Sequence, residues 1–436
     1  MGMSYRNFVS TNVLDNIHKK YDVTFLVLAD SFIEKLLKQK QYKTIELKYG
    51  ISQKIIKRVT LVLEKVQYYS FYEKHKTSTM KKYIVRDSKN FSFRILYPIA
   101  KFLGNLYDRY SFFSLHYSYF ISKKLKNELK NFDKVFLLST DDLIDKSILK
   151  ICKQLDISVS VIVHSWDNLP GRGFFADKPD NLLVWNTVMK KQAQNLHNIN
   201  EKKVHVVGVP QFWFYKQLEH KIEKSFFNKY YIKSEQRKTI TYTCSAHRVF
   251  PDEELFIEQL INFIKREKFN LILRLHPTER IDLYNKKFSN LQNVIIDQPS
   301  GNFAATITEN IKDNEIEILK FISLMKYSDV VLNLASTTTL DAIIFDTPVV
   351  CISFNIDQNI KEEWNDANEW YKSSHYKDII DSRATKIATS IEALEKYILE
   401  YMIDKTIDRQ NRKELANAFC NINYNVKEKI LKALDD

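Results

Sequence analysis

Four apolar, β-rich runs of this chain end abruptly in polar residues. The runs cover 158–164, 239–244, 270–275 and 329–334. They lead into Ser165-Trp166-Asp167-Asn168, Ser245-Ala246-His247-Arg248, His276-Pro277 and Ala335-Ser336-Thr337-Thr338-Thr339. In open α/β sheets, ligands collect beyond the carboxyl ends of the strands. We therefore expect these polar residues to build a site in an enzyme, and we expect its ligand to be anionic.

The length and composition predict a folded protein of at least two domains. The chain has 436 residues, which exceeds the size at which one hydrophobic core usually stops growing. Hydrophobic residues make up 44% and aromatic residues 13%, so there is ample core material. The net charge of +13 favours acidic partners or an anionic membrane surface. Because the basic residues are spread along the chain, they indicate a solvated lysine-rich surface and no nucleic-acid partner.

Cysteine usage and hydropathy suggest the compartment. The four cysteines are widely scattered, which disfavours a disulfide framework or a Cys/His metal site. The N-terminus lacks the apolar core of a signal peptide, and no apolar run reaches the roughly 20 residues that span a bilayer. We expect a cytoplasmic protein, and peripheral contact with the inner face of the membrane remains open.

Strands alternate with helices in two series, which predicts the α/β class with parallel sheets. Strands are predicted at 135–138, 157–163, 181–185 and 204–207, and then at 239–244, 271–275, 294–296, 330–334 and 349–354. This pattern predicts two facing Rossmann-like domains. We place an N-terminal acceptor domain at 1–215, with a helical aromatic-rich insertion at about 52–130, and a donor-binding domain at 216–410. The remainder, 411–436, is predicted as a C-terminal helix whose return to the N-terminal domain is open.

The aromatic-rich region 67–121 has two interpretations. Runs such as Tyr68-Tyr69-Ser70-Phe71-Tyr72 are typical of helix packing inside a core. Interleaved with Lys65, Lys74 and Lys81, they are also compatible with a face that touches lipid or a long acceptor.

The hydroxyl run after the 329–334 strand predicts phosphate binding. The strand delivers Ser336, Thr337 and Thr338 to the first turn of a helix, where backbone N–H groups are unsatisfied and the helix dipole is positive. The alternative is that Ser336 or Thr337 only caps that helix. A cap needs one hydroxyl, whereas this segment supplies four in a row.

Two basic clusters follow the neighbouring strands. Arg274-Leu275-His276-Pro277 ends one strand, with Pro277 preventing continuation of the ladder. His247 and Arg248 follow the preceding strand. Either pair is predicted to hold a leaving pyrophosphate. Two alternatives are that Arg274 faces the other side of the sheet, because side chains alternate along a strand, and that a partly buried His276 is satisfied by backbone.

The loop His164 to Gly173 is the candidate catalytic segment of the first domain. Asp167 is the predicted base, with His164 as the second candidate. Trp166, Asn168 and Arg172 on the same loop are predicted to bind the acceptor, although Trp166 also suits packing and Asp167 or Asn168 an Asx-type turn. The chain has only 7 glycines, so Gly171 and Gly173 in one loop indicate special backbone geometry.

These segments together resemble a known group of proteins. The run 164–173, followed by Pro179-Asp180, Leu183-Val184-Trp185-Asn186 and 204–212, resembles bacterial GT-B glycosyltransferase-like proteins of surface-polysaccharide synthesis. Arg274-Leu275-His276-Pro277 and the segment from Ser336 to Asp341-Ala342 are similar to the nucleotide-binding half of that superfamily, and to CDP-glycerol glycerophosphotransferases and capsule polysaccharide transferases. The resemblance covers about 132–355, adds Asp341 to the donor-binding set and implies the GT-B fold.

The resemblance implies transfer of a sugar from a nucleotide sugar to a hydroxyl of a cell-surface or lipid-linked glycan, as in capsule or lipopolysaccharide synthesis. His164-Ser165-Trp166 stands where the CDP-glycerol pattern has a His-Gly loop, which argues against glycerol phosphate transfer. Two alternatives remain, a CDP-alditol phosphotransferase of teichoic-acid-like or capsule polymer synthesis and a non-catalytic scaffold. The chain has no Asp-x-Asp motif, and we expect no metal and no resident cofactor.

Overall fold

The computed structural model describes residues 8, 11, 13–28, 31–47, 51–103, 114–139, 142–232, 237–247, 249–277, 279, 281–299, 311–357 and 362–436. At 32, 36, 51–55 and 311–314 it describes the backbone alone. The chain divides into two compact units. The first comprises Met1–Gln211 and Asn423–Asp436, and the second comprises Phe212–Ile422.

The first unit contains two parallel sheets. Strands β1 (Thr24–Leu28) and β2 (Lys43–Leu47) pair with each other. The larger sheet has the order β3-β4-β5-β6, formed by β3 (Lys134–Leu137), β4 (Ser158–Ile162), β5 (Asn181–Val184) and β6 (Val204–Val206). All residues of β5 and four of the five in β4 are buried, as expected for parallel strands covered on both faces. The predicted strands of this half are confirmed.

Helices surround these strands. They are α1 (Val13–His18), α2 (Phe32–Gln39), α3 (Ile51–His75), α4 (Ser78–Ser88), α5 (Phe91–Leu103), α6 (His116–Phe120), α7 (Lys123–Leu129), α8 (Leu143–Gln154), α9 (Asn168–Gly171) and α10 (Thr187–His197). Asp142 caps α8, because its carboxylate accepts a hydrogen bond from the Ile144 N–H at 2.8 Å.

The aromatic-rich helices form a core of their own. Tyr69 and Phe71 of α3 are buried with Met80 and Ala100, and the Phe93 ring packs on Tyr69 with centroids 5.0 Å apart. These aromatic residues are therefore packing residues. Residues 104–113, which include Tyr110, Phe112 and Phe113, lie outside the described residues.

The second unit is built on a six-stranded parallel sheet of order β12-β11-β10-β7-β8-β9. Its strands are β7 (Thr239–Thr243), β8 (Asn270–Arg274), β9 (Val294–Asp297), β10 (Val330–Asn333), β11 (Val349–Ile352) and β12 (Lys386–Ala388). The first five were predicted from the sequence, whereas β12, which has three residues and begins with a lysine, was not.

The helices of this unit alternate with its strands. They are α11 (Pro210–Leu218), which begins at the boundary, α12 (Lys224–Tyr231), α13 (Glu253–Glu267), α14 (Ile281–Phe288), α15 (Ile311–Tyr327), α16 (Thr338–Ile343), α17 (Ala367–Tyr371), α18 (Lys377–Ser382), α19 (Ile391–Ile403) and α20 (Arg409–Ala418). Because all strands are parallel, the segments that follow β10, β7 and β8 leave the sheet at the same edge, from three adjacent strands.

The last helix, α21 (Val426–Asp435), belongs to the first unit. It packs against α1 and β5. Asp435 forms an ion pair with Lys20, and the Lys134 ammonium donates to the Leu434 carbonyl at 2.5 Å. The chain therefore returns to its first unit after completing the second.

Candidate functional site

The segment after β10 is held in an unusual backbone conformation. Ala335 has a positive φ of 40°, which costs energy for a residue other than glycine. Two buried side chains hold it there. The Tyr371 hydroxyl accepts a hydrogen bond from the Ala335 N–H at 2.9 Å, and the Asn333 Oδ1 accepts from the Ser336 N–H at 3.2 Å. The conformation of this segment is therefore fixed by residues beneath it.

The hydroxyl groups that follow have different tasks. The Ser336 Oγ accepts from the Thr338 N–H at 3.3 Å, so the capping interpretation accounts for Ser336. Thr337 is exposed and makes no side-chain cap bond. The Thr338 Oγ1 lies 2.9 Å from the Thr243 Oγ1 at the end of β7, which joins the segments that leave two neighbouring strands. Capping thus explains one of these three hydroxyls.

Farther along α16 the side chains turn inward. The buried Thr339 hydroxyl contacts the Asn333 Oδ1 at 3.0 Å and the Tyr376 hydroxyl at 2.8 Å. Asp341 is also buried. Burial of the Cys420 thiol raises the pKa of that thiol, and the nearby Asp341 charge raises it further. Asp341 therefore lies within the packing of α16, and our proposed site does not include it.

The segment after β7 contacts a buried carboxylate that was not predicted from the sequence. Glu253, at the start of α13, accepts hydrogen bonds from the Tyr242 hydroxyl and the Ser245 N–H, both at 2.6 Å, and from the Tyr284 hydroxyl at 3.1 Å. Burial raises the pKa of Glu253 to about 7, although these three donors oppose the shift. Glu253 thus fixes the first residue of the segment that carries His247.

The segments after β7 and β8 are also joined. The exposed His247 donates its backbone N–H to the Glu279 Oε1 at 2.9 Å. His276 is half-buried at the end of β8. Arg248 lies outside the described residues. The structure therefore brings the His247 and His276 segments to the same edge as Ser336 and Thr338.

Arg274 is engaged elsewhere. Its guanidinium forms an ion pair with Asp297, its register partner on β9, and lies 3.9 Å from a Glu317 carboxylate oxygen. The Tyr231 hydroxyl and the Lys320 ammonium reach the same Asp297 carboxylate at 3.2 and 3.4 Å. Because these acidic partners neutralise its charge, we leave Arg274 out of the proposed phosphate site.

In the first unit, the loop after β4 presents one carboxylate. The Asp167 Oδ1 accepts from the Ser165 hydroxyl at 2.5 Å, and its Oδ2 lies 3.9 Å from the Arg172 guanidinium. Both side chains reach solvent, while His164 is half-buried at the end of the strand. Trp166 and Asn168 are buried, with only 3% and 2% of their surface exposed.

The predicted special backbone geometry is present at Gly173, whereas Gly171 is explained by a close side-chain approach. Gly173 has a positive φ of 83°, and a Cβ added at Gly171 would lie 3.0 Å from the Thr79 side chain. The neighbouring helical segment also holds the loop, because the Thr77 hydroxyl donates to the Pro170 carbonyl at 2.7 Å. The contacts of Thr77 and Thr79 with this loop were not predicted, because no local pattern indicates them.

Within the described ranges, no group of three or more His, Cys, Asp or Glu residues is arranged to hold a metal ion. No helix in that same part of the chain is both long and apolar enough to cross a membrane.

Comparison with known proteins gives a fold. No protein-family model and no curated protein matches the sequence. A putative UDP-N-acetylglucosamine 2-epimerase from Listeria monocytogenes matches with a TM-score of 0.50 and 11% identity, over 74% of this chain and 77% of that one. A glycosyltransferase from Rickettsia africae matches with a TM-score of 0.49 and 14% identity, over 98% of this chain and 93% of that one. The UDP-GlcNAc 2-epimerase of Methanocaldococcus jannaschii, solved with UDP-GlcNAc and UDP, matches with a TM-score of 0.47 and 16% identity, over 74% and 80%.

At such identities the likeness concerns the fold alone. The Listeria structure supports the prediction of an α/β, GT-B-like fold with parallel sheets, which is confirmed.

Proposed function

We propose that this protein is a glycosyltransferase that moves a sugar from a nucleotide-sugar donor to a hydroxyl of a cell-surface or lipid-linked glycan. The observation that carries the proposal is the contact between Thr338 and Thr243, which joins the hydroxyl-bearing segment after β10 to the end of β7. Segments that converge beyond the carboxyl ends of parallel strands are where α/β proteins bind nucleotides. The GT-B-like fold supports the same assignment.

The donor diphosphate would contact Ser336, Thr337 and Thr338, with His276 and His247 supplying positive charge or donors. Arg248 remains in the proposal from its position in the sequence. These groups stabilise the charge that develops on the leaving nucleotide diphosphate as the sugar bond breaks. The hydrogen bonds to Ala335 and Ser336 fix the segment before the ligand arrives, so little reorganisation is needed.

Asp167 would act as the general base in the first unit, with His164 as the second candidate. Its carboxylate is partly exposed and held by Ser165, so it has both access and a fixed direction. It would take the proton of the acceptor hydroxyl while that oxygen attacks the anomeric carbon. The proposal requires no bound metal and no cofactor other than the nucleotide-sugar substrate.

A ligand panel tests the donor class. Thermal unfolding is measured with UDP-, GDP- and CDP-linked sugars and with CDP-glycerol and CDP-ribitol. A ligand present at about 100 times its Kd stabilises the folded state by about 2.7 kcal/mol, so a true donor gives a clear shift. We expect a nucleotide sugar to give it. A shift with the CDP-alditols alone would favour the phosphotransferase, and no shift with any compound would favour the scaffold.

The site is tested with Ser336→Ala combined with Thr337→Val, which we expect to weaken nucleotide binding without unfolding the chain. Thr406→Val combined with Ser289→Ala removes two exposed hydroxyls outside these segments and is the matched control. Product analysis then separates transfer from epimerisation, the activity named for the Listeria protein. Release of an epimerised nucleotide sugar without transfer to a glycan would contradict the proposed reaction.

A further inference from the structure

Helix α5 exposes a stripe of large apolar side chains. Phe91, Ile95, Ile99 and Phe102 are 77%, 51%, 46% and 80% exposed. Their spacing of four, four and three residues places all four on one side of the helix. Large exposed apolar patches of this kind mark interaction surfaces.

The opposite side of the same helix already has its partner. The Tyr97 hydroxyl donates to Glu73 at 2.5 Å, and Ala100 is buried beneath α3, where its carbonyl accepts from the Ser70 hydroxyl at 3.0 Å. The core of the helical region therefore holds α5 through this inner side. The outer stripe contributes little to that core and is left facing solvent.

The charged side chains of α5 itself are all basic. The 13 residues of α5 contain no Asp or Glu, and its exposed Arg94 and Lys101 are seven residues apart, so both lie along the same edge of the stripe. The adjoining helix α3 exposes further basic and apolar side chains, namely Lys57, Arg58, Val59, Leu61, Val62 and Lys65. The acidic Glu64 of that segment is paired with Lys146 at 2.6 Å.

We propose that this face of α5 lies on an anionic lipid surface. From Phe91 to Phe102 the helix rises about 16 Å, so the four side chains can enter the headgroup region side by side with the helix parallel to the membrane. Arg94 and Lys101 then lie at the level of the lipid phosphates, where each basic residue adds attraction. This inference extends the proposed function, because a lipid-linked acceptor is held at the same surface, but its evidence comes from a different part of the molecule.

Vesicle binding of the whole chain tests the proposal. Sedimentation is compared between vesicles of phosphatidylcholine alone and vesicles in which phosphatidylglycerol replaces about a third of that lipid. We expect binding to the anionic vesicles that weakens with salt. Phe91→Ser combined with Phe102→Ser should reduce it by roughly 100-fold, since each exposed phenyl ring contributes about tenfold or more on burial. Arg94→Glu combined with Lys101→Glu should abolish the preference for anionic lipid.

Matched controls alter comparable residues elsewhere. Ile403→Ser combined with Leu283→Ser removes two other exposed apolar side chains, and Lys396→Glu combined with Lys413→Glu inverts two other exposed lysines. Both are expected to bind vesicles like the native chain. Thermal midpoints of all variants should stay close to the native value because the altered side chains are exposed.

Three results would overturn the proposal. One is that the native chain does not bind anionic vesicles. Another is that the Phe91/Phe102 variant binds them as tightly as the native chain does. The third is a native dimer in light scattering that this variant converts to a monomer, because the face would then join two copies. Nucleotide binding by the same variant is measured in parallel and should be retained. Vesicle binding without any nucleotide binding would end the proposed function and leave this inference standing.

Discussion

The Tyr371 hydroxyl accepts a hydrogen bond from the backbone N–H of Ala335, 36 residues earlier in the chain. That contact holds a left-handed alanine directly before Ser336. A helix from a distant part of the second unit thus sets the direction of the segment that we assign to the donor diphosphate.

Tyr371→Phe removes this acceptor and leaves the Ala335 N–H without its partner. We expect the free energy of unfolding to fall by about 1–3 kcal/mol, the usual cost of an unsatisfied buried group. Nucleotide affinity should also fall, by about tenfold, because the segment loses its fixed direction. Calorimetric titration with the donor found in the panel measures this.

Tyr376→Phe is the matched control, because the Tyr376 hydroxyl contacts Thr339 inside the packing and not the backbone of the segment. It should lower stability similarly while nucleotide affinity stays near the native value. Equal losses of affinity in both variants would show that Tyr371 acts only through general stability.

Asp167→Asn tests the base. A general base typically contributes about 100-fold or more to the rate, so turnover should fall by at least that factor while nucleotide affinity is unchanged. Asp177→Asn changes another carboxylate of the same unit, one paired with Lys150 at 2.8 Å, and should alter stability without this loss. If the Asp167 variant keeps native turnover, Asp167 is not the base. His164 then becomes the candidate base, and turnover of a His164 variant is measured.

Glu253 predicts a pH dependence of stability. Its pKa is raised from 4.5 to about 7 in the folded chain, so between these values the folded state keeps a proton that the unfolded state releases. The free energy of unfolding should therefore fall as pH rises through this window, by about 3 kcal/mol in total. Tyr242, Cys244, Tyr284 and Glu279 are the titratable groups around the carboxylate.

Glu253→Gln removes this titration, so denaturant unfolding at several pH values should show the variant gaining stability relative to the native chain between about pH 4.5 and 7. Parallel stability curves for the two chains would contradict the raised pKa.

We expect a large loss of stability when Asp346, the acidic partner of Arg412, is neutralised. Its fully buried guanidinium donates to Asp346 at 3.0 Å and to the Lys405 and Ile407 carbonyls at 2.7 and 2.6 Å. Asp346→Asn keeps a residue that tolerates the φ of 60° at this position, but it leaves a buried cation without its counter-charge. We expect a loss of about 3 kcal/mol in unfolding free energy.

Arg409→Ala removes the exposed partner of the same Asp346 carboxylate and should cost about 1 kcal/mol or less. Comparable losses in the two variants, measured by denaturant unfolding, would mean that the buried charge is compensated by its carbonyl contacts.

The sequence was a good guide where a strand is buried on both faces. The run at 330–334 is apolar apart from Asn333, so its position and the hydroxyls beyond it were predicted closely. Strand β12 was not predicted, because a strand of three residues that begins with lysine is too short to show a hydrophobic pattern. The residues that hold the site segments in place were not predicted for another reason. Tyr371 and Glu253 reach it through tertiary contacts, which leave no trace in local periodicity.

Arg274 is a residue whose position was predicted from the sequence but whose ion pair was not. Its place at the end of β8 was predicted, but its use depends on the register with β9, which sets Asp297 directly beside it. Register between separate strands is decided by packing and cannot be read from either strand alone.

Helix α21 has a consequence for biosynthesis. Lys20, Tyr21 and Lys134 are made early, yet their partners Leu434 and Asp435 are translated only after every residue of the second unit. On the ribosome the second unit has all its strands while the first still lacks one helix. A premature stop between Ile422 and Val426 would therefore leave a complete second unit attached to a first unit that lacks α21.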